Sequence, residues 1–241
     1  MKTLHYIGLI FLVLVFSSWT MKKEIKGSGK SLKEQRKVTS FEGIRVNNGI
    51  HVFLSQGNEE SVEVESDDNI IPYIQTKVQD KILHITLKGN EQIRNFSPKL
   101  PINVYVTLKN LREIKAHSAS AVKGQSVFHT ENLELGVKSA ARLELEIEAE
   151  TIELEISSAS NVTLTGNAHS IKADLSGASR LNASDLESLK AEIDASGASV
   201  ATIKVKDELQ YDVSGAAKLT YNGNPRIYKS EVSSAGIVKK K

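Results

Sequence analysis

Five acidic residues recur at nearly fixed spacing along the second half of this 241-residue chain: Glu155, Asp174, Asp194, Asp212 and Glu231. Each stands three residues before a corner of small residues. If the segments between corners stack as strands, neighbouring carboxylates lie about 5 Å apart and alternate ones about 10 Å apart. Such separations overlap those of glycosidase carboxylate pairs. An oxygen-rich row of this kind can also hold Ca²⁺ weakly. Three readings are therefore open: a solvated face with Lys172 and Lys229 relieving repulsion, a glycan or cation contact, or catalysis on a polysaccharide. No Arg, His or aromatic cluster recurs beside the row to hold a sugar, and no long loop interrupts 133–238 to wall a cleft.

The elements that must position this row are legible. The corners read HSASAV (117–122), KSAARL (138–143), SSASNV (157–162), SGASRL (176–181), SGASVA (196–201), SGAAKL (214–219) and SSAGIV (233–238). Aligned on Ser118, Ser139, Ser158, Gly177, Gly197, Gly215 and Ser234, they are 21, 19, 19, 20, 18 and 19 residues apart. That is the signature of a stacked repeat. Before each corner, apolar and polar residues alternate strictly, as in Ile152-Glu153-Leu154-Glu155-Ile156. This is the period of a strand with one buried and one wet face. About 19 residues are too few for a βαβ unit, and the leucine-rich pattern is absent. The expectation is an all-β, single-domain parallel β-solenoid, right-handed by the general rule for parallel crossovers. Its seven regular coils span 117–238, with 38–116 forming irregular first coils and a cap. The tight corners suit Gly, Ala and Ser, and the glycines tolerate backbone angles that a Cβ penalises. Stacked hydroxyls, Ser158 and Ser160 over Ser179 and Ser199, are expected to hydrogen-bond along the corner ladder.

Residues 1–20 read as a secretory signal. Ile7–Phe16 is an apolar run of ten, too short to span a bilayer as a helix. Small residues then favour cleavage near Thr20–Met21; an uncleaved anchor would give the only membrane contact. The chain has no cysteine, which excludes a lipid-modified Cys and disulfides alike. Residues 21–37 read as a basic polar linker, and GSGKS (27–31) within it as spacer rather than a phosphate loop, since Glu24 stands where that motif needs Gly.

The whole chain is +2, but the first 37 residues hold eight Lys/Arg against two Glu, leaving the folded body acidic. A nucleic-acid surface wants a basic stripe, so that partner is excluded. The six histidines show no metal-ligand spacing, and no metal or cofactor is expected. Asp67-Asp68-Asn69 is positioned to cap a short helical turn at Ile70-Ile71. Phe53, Tyr73, Phe96 and Tyr105 read as core, and Tyr221 and Tyr228 as caps on the last coil. The Lys239–Lys241 tail reads as a guard on the open edge, although copies can still pair through coil ends.

The stretch FEGIRVNNGIHVFLSQGNEESVEVESDDNIIPYI (41–74) resembles the opening of the head GIN domain, a family of Gram-negative envelope proteins also called auto-transporter adhesins. The match runs through Gly49, Ile50, Gln56 and Gly57, with His51 where the motif has Asn, and the later Ser-Gly-Ala-Ser corners fit as well. The resemblance covers about 38–238. It implies the solenoid fold and an envelope address, in the periplasm, on the outer surface or secreted. The function it implies is a non-enzymatic adhesin or scaffold for a glycan or an envelope protein. A carbohydrate-active enzyme using the acidic row is the alternative.

Overall fold

The apolar residues of the alternating segments face one way and become the core. In the computed structural model, which describes residues 23–90 and 93–241, Ile152, Leu154 and Ile156 are buried while Glu153 and Glu155 are exposed. The proposed signal, 1–20, lies outside the described residues.

In chain order the strands are β1 (Lys23–Lys26), β2 (Ser31–Arg36), β3 (Gly43–Val46), β4 (His51–Gln56), β5 (Ser61–Asp67), β6 (Ile74–Gln79), β7 (Ile82–Leu87), β8 (Ile93–Ser97), β9 (Asn103–Leu108) and β10 (Glu113–Ala116). Five long, bent strands follow: β11 (Ala121–Val137), β12 (Arg142–Ile156), β13 (Asn161–Leu175), β14 (Arg180–Ala195) and β15 (Val200–Val213). The chain ends with β16 (Lys218–Asn222), β17 (Arg226–Val232) and β18 (Ile237–Lys240).

From β11 to β15 each strand pairs in parallel with the next, so one strand run is one coil. The protein is a parallel β-solenoid. The register stacks like on like: Val137, Ile156, Leu175, Ala195 and Val213 form one inward column, and all five are buried. Burying a Leu or Ile in this way stabilises the fold by about 1.5–3 kcal/mol. No coil can do so alone, because its neighbours provide the cover.

Each corner turns on a left-handed residue. The φ values are 54° at Ser118, 59° at Ser139, 56° at Ser158, 69° at Gly177, 71° at Gly197, 68° at Gly215 and 57° at Ser234. In the first three corners the following Ala is also left-handed (60°, 62° and 63°). Among the left-handed corner glycines the tightest is Gly197, where a Cβ would come within 2.7 Å of the Gly177 carbonyl oxygen.

The corners are laddered by backbone, not by bonds from one hydroxyl to the next. Ala119 donates to the Ser139 carbonyl (2.9 Å), Ala140 to Ser158 (2.9 Å), and Ala198 to Gly177 (2.7 Å). The buried hydroxyls of Ser160, Ser179 and Ser199 have no hydrogen-bond partner among the described residues, which corrects the expected hydroxyl ladder. Serines stacked in register are held about 4.8 Å apart by the strand spacing, beyond hydrogen-bond reach.

The N-terminal part departs from simple succession. β3 and β4 flank one more corner at Asn48-Gly49, with φ values of 67° and 68°, and the Gly49 amide donates to the Ser118 carbonyl at 2.9 Å. This coil lies under β10 and β11 on one side and against β7 and β9 on the other. Residues 74–108 therefore stack outside the coil that precedes them in sequence. Antiparallel pairs β5–β9, β2–β5 and β6–β7 close this end.

Residues 23–36 are not a linker. β1 pairs with β8 and β2 with β5. β2 is held by charge: Lys33 meets Glu63 at 3.3 Å and Glu65 at 3.7 Å, and Gln35 donates to Glu63 at 2.7 Å. The 27–31 segment is a docking loop rather than spacer. Buried Asp67 accepts from the amides of Gly29 (2.6 Å), Lys99 (2.9 Å) and Leu100 (3.0 Å). A Cβ on Gly27 would sit 2.3 Å from an Asp67 oxygen. The short 3-10 turn at Ile71–Tyr73 exists but has no side-chain cap, because Asp67 is committed elsewhere.

Phe53 and Tyr105 are not core either. They stand on the outward side of β4 and β9, stacked at 5.2 Å, with the Lys33 ammonium 4.8 Å over the Tyr105 ring. At the other end, Tyr221 packs against the core while Tyr228 is 73% exposed and caps nothing. The last coil replaces inward apolar residues with Ser230, beneath Tyr211, and Lys240, beneath Tyr221. An inward lysine on an edge strand blunts strand addition.

Candidate functional site

The alternation that buries Ile156, Leu175, Ala195 and Val213 puts the residue before each of them on the outer face. The register then aligns Glu155 with Asp174, Asp174 with Asp194, Asp194 with Asp212, and Asp212 with Glu231. All five predicted acids fall in one outward column. The next column over is Ser157, Ser176, Ser196, Ser214 and Ser233, each one residue past an inward position. Three of these serines and the acids beside them line a depression of 280 Å³.

The column is neutralised at both ends. Lys138 pairs with Glu155 and Lys229 with Glu231 at 3.2 Å. Lys172, one column away, is taken by Glu192 at 2.9 Å. Asp174, Asp194 and Asp212 make no ion pair among the described residues. Burial, followed by the charges of Asp174, Glu192 and Asp212, pushes the Asp194 carboxyl above the usual range. The folded state therefore favours protonated Asp194. Its stabilising effect is complete below the unfolded value, is lost as pH rises through the raised folded value, and leaves a cost at neutral pH. We expect Asp194→Asn to gain up to about 1 kcal/mol at pH 7 and nothing at pH 3, read from urea midpoints at both pH values. An equal midpoint at pH 7 would refute the repulsion.

The column carries carboxylates and hydroxyls, which can meet the hydroxyls of a glycan or a hydrated cation. Among the described residues there is no group of three or more His, Cys, Asp or Glu placed to hold a metal ion. His117 sits at its corner beside left-handed Ser118; burial, then Lys138, Lys115 and Arg45, lower its proton affinity.

The motif residues play structural parts. Gly49 makes the corner, and buried Ile50 follows it. His51 is exposed, so its exchange for Asn leaves the core untouched. Gln56 clamps two coils, donating to the carbonyls of Lys109 (2.9 Å) and His129 (3.1 Å) and accepting from the His129 amide (2.8 Å). Gly57 lies where a Cβ would press within 2.9 Å of Thr107.

Sequence reasoning began the outward column too late. The register carries it back from Glu155 through Gly136 and Lys115 to Arg45. Its charge thus changes sign along the rod, and a glycine marks the crossing. Reading the third residue before the corners at 118 and 139 would have found both Lys115 and Gly136.

Comparison with known proteins places this architecture. A family described as "Putative auto-transporter adhesin, head GIN domain" matches residues 40–225. A putative adhesin from Bacteroides fragilis has the same fold: 22% identity, TM-score 0.82, covering 90% of this chain and 100% of its own. A putative adhesin from Parabacteroides distasonis is similar at 22% identity and TM-score 0.75, covering 91% and 100%. A putative lipid binding protein from the same organism shares the fold at 17% identity and TM-score 0.69, with 91% and 100% covered. No curated protein matches the chain.

Proposed function

Because this chain belongs to the head GIN domain family of putative auto-transporter adhesins, we propose that it is an exported, non-enzymatic binding scaffold of the cell envelope. Its ligand is a glycan or an envelope protein met along the outward columns. The observation that carries this reading is the repetition of one outward pattern on successive coils: Asp174, Asp194 and Asp212 in register, flanked by Ser176, Ser196 and Ser214. A repeated row suits a repeated ligand, whereas catalysis needs one singular place. Copies of the chain would meet at the coil ends.

The test is protease accessibility on intact cells against cells with a permeabilised outer membrane. Digestion on intact cells is the expected result and makes surface adhesion the leading role. Protection until permeabilisation would sink the adhesin reading and leave a periplasmic scaffold.

One observation favours a second reading. A half-buried carboxyl with raised proton affinity between two other carboxylates is the arrangement that acid catalysis of glycoside cleavage uses. Under that reading the purified protein hydrolyses or eliminates a polysaccharide, and Asp194→Asn and Asp212→Asn abolish turnover. Unchanged turnover in both variants removes the mechanism.

A further inference from the structure

Gly136 is a glycine that its backbone does not require. It lies inside β11 and has no left-handed φ. Glycine in a strand interior is destabilising relative to Ala, and it often marks a close approach by a ligand or another backbone. A Cβ here would first meet the Lys115 side chain, at 3.3 Å.

The missing side chain leaves a gap in the outward lattice that the Lys115 stem part-fills, its Cγ 3.3 Å and its Cε 3.8 Å from where a Cβ would be. Lys115 and Glu155 stand above and below Gly136 in its own column. Glu134 and Lys138 flank it along the strand, and His117, Glu153, Lys172 and Asp174 complete the charged and polar rim of a depression of 250 Å³. The rim alternates donors and acceptors. Lys115 reaches Glu113 and Glu134, both at 2.8 Å, and Lys138 reaches Glu155. Glu153 makes no ion pair among the described residues. A free anion entering the gap meets Glu134, Glu153, Glu155 and Asp174, and a free cation meets Lys115, Lys138 and Lys172. An uncharged ring of hydroxyls suits both, since each hydroxyl donates once and accepts twice. The Lys115 alkyl stem, lying over the buried Gly136 backbone, offers the partly apolar floor that a sugar's C–H face needs.

We infer that the gap at Gly136 seats one neutral pyranose unit of a glycan. This rests on the glycan form of the proposed function and fixes where along the outward columns the chain is first held. His117, whose proton affinity burial lowers, then stands at the rim as a neutral imidazole able to donate from one nitrogen and accept at the other.

Gly136→Thr tests it, because threonine suits a strand and fills the gap. The full chain and the variant are titrated with cellohexaose, laminarihexaose and mannohexaose, following amide shifts by NMR. The expected result is binding by the wild type to at least one neutral probe, with shifts centred on Gly136, His117 and Lys138. Gly136→Thr should bind about tenfold more weakly at an unreduced melting temperature. Equal binding by both proteins overturns the site and leaves the glycan reading standing. No shift with any of the three probes overturns the site and the glycan reading together. If Gly136→Thr is unstable, Gly136→Ala, which adds one methyl against a movable lysine, replaces it. Undiminished affinity in that variant, with shifts away from Gly136, is again a refutation.

Discussion

Gly166→Ala will lower the stability of the protein by about 4 kcal/mol. Gly166 has a φ of 107°, outside even the left-handed region that Asn and Asp visit. A methyl group here would lie 2.1 Å from the Ile147 carbonyl oxygen. That oxygen cannot retreat as a side chain can. Ile147 is the register partner of Gly166 in the coil below, and Leu186 is its partner above. Moving either backbone breaks a ladder that runs the length of the molecule. Strain at the φ accounts for about 1–3 kcal/mol and overpacking for a similar amount. Gly136→Ala is the matched control: same chemistry, extended backbone, a flexible neighbour, and an expected change below about 1 kcal/mol. Urea unfolding followed by circular dichroism reads both. A loss under 1 kcal/mol at Gly166 would mean the coil can reshape there.

Asp67→Ala will release the N-terminal strap at a cost of about 3 kcal/mol. The carboxylate collects three amides from two separate segments, 29 and 99–100. Removing it leaves three part-buried amides without their shared acceptor. The neighbouring contacts, Ser28 to Asp68 at 2.5 Å and the Ser28 amide to Asn69 at 2.9 Å, are exposed and contribute less. The loss is local: residues 23–36 detach, while coils that never touch them persist. Hydrogen exchange should show protection vanishing in 23–36 and surviving in 133–213. Uniform loss across the chain would contradict a strap.

The same carboxylate sets a pH dependence. Burial alone would raise its pKa, but the amides of Leu100, Gly29 and Lys99 outweigh it and hold the group below the usual carboxylate range. The folded pKa is thus depressed. The strap's anchoring is complete above the unfolded value of about 3.9 and disappears as pH falls through the folded one. Exchange protection of 23–36 should hold at pH 5 and fail near pH 2. In Asp67→Asn it should be weaker at pH 5 and change little between the two. Identical profiles would reject the assignment.

How much of this was legible beforehand depended on which force held each piece. The regular coils were readable because burial writes a period-two pattern into sequence, as in β12, and because the corners admit only small residues. The coil at Asn48-Gly49 was hidden by interruption. Its stacking partner at Ser118-Ala119 lies 70 residues on, with β5 to β10 inserted between, so no local period betrays it. The strap left no apolar signal: β2 is exposed along most of its length and recognises β5 by charge, which looks the same in sequence as a solvated linker. The acidic row was found because it repeats. Gly136 was passed over because it breaks the repeat, and its meaning appears only when the columns are followed upward past Glu155.

The stacking order has a bearing on length. Each regular coil touches only the coil above and the coil below, and its two faces present the same columns. Excising 157–175 would join Ile156 to Ser176, and both sides of the cut occupy equivalent places in successive coils. The rod would shorten by about 4.8 Å while every remaining column closed over the gap, and duplication of the same unit would lengthen it by as much. Reach is thus quantised in this architecture, adjustable in single steps without redesign of the cap, the strap or the coils already present.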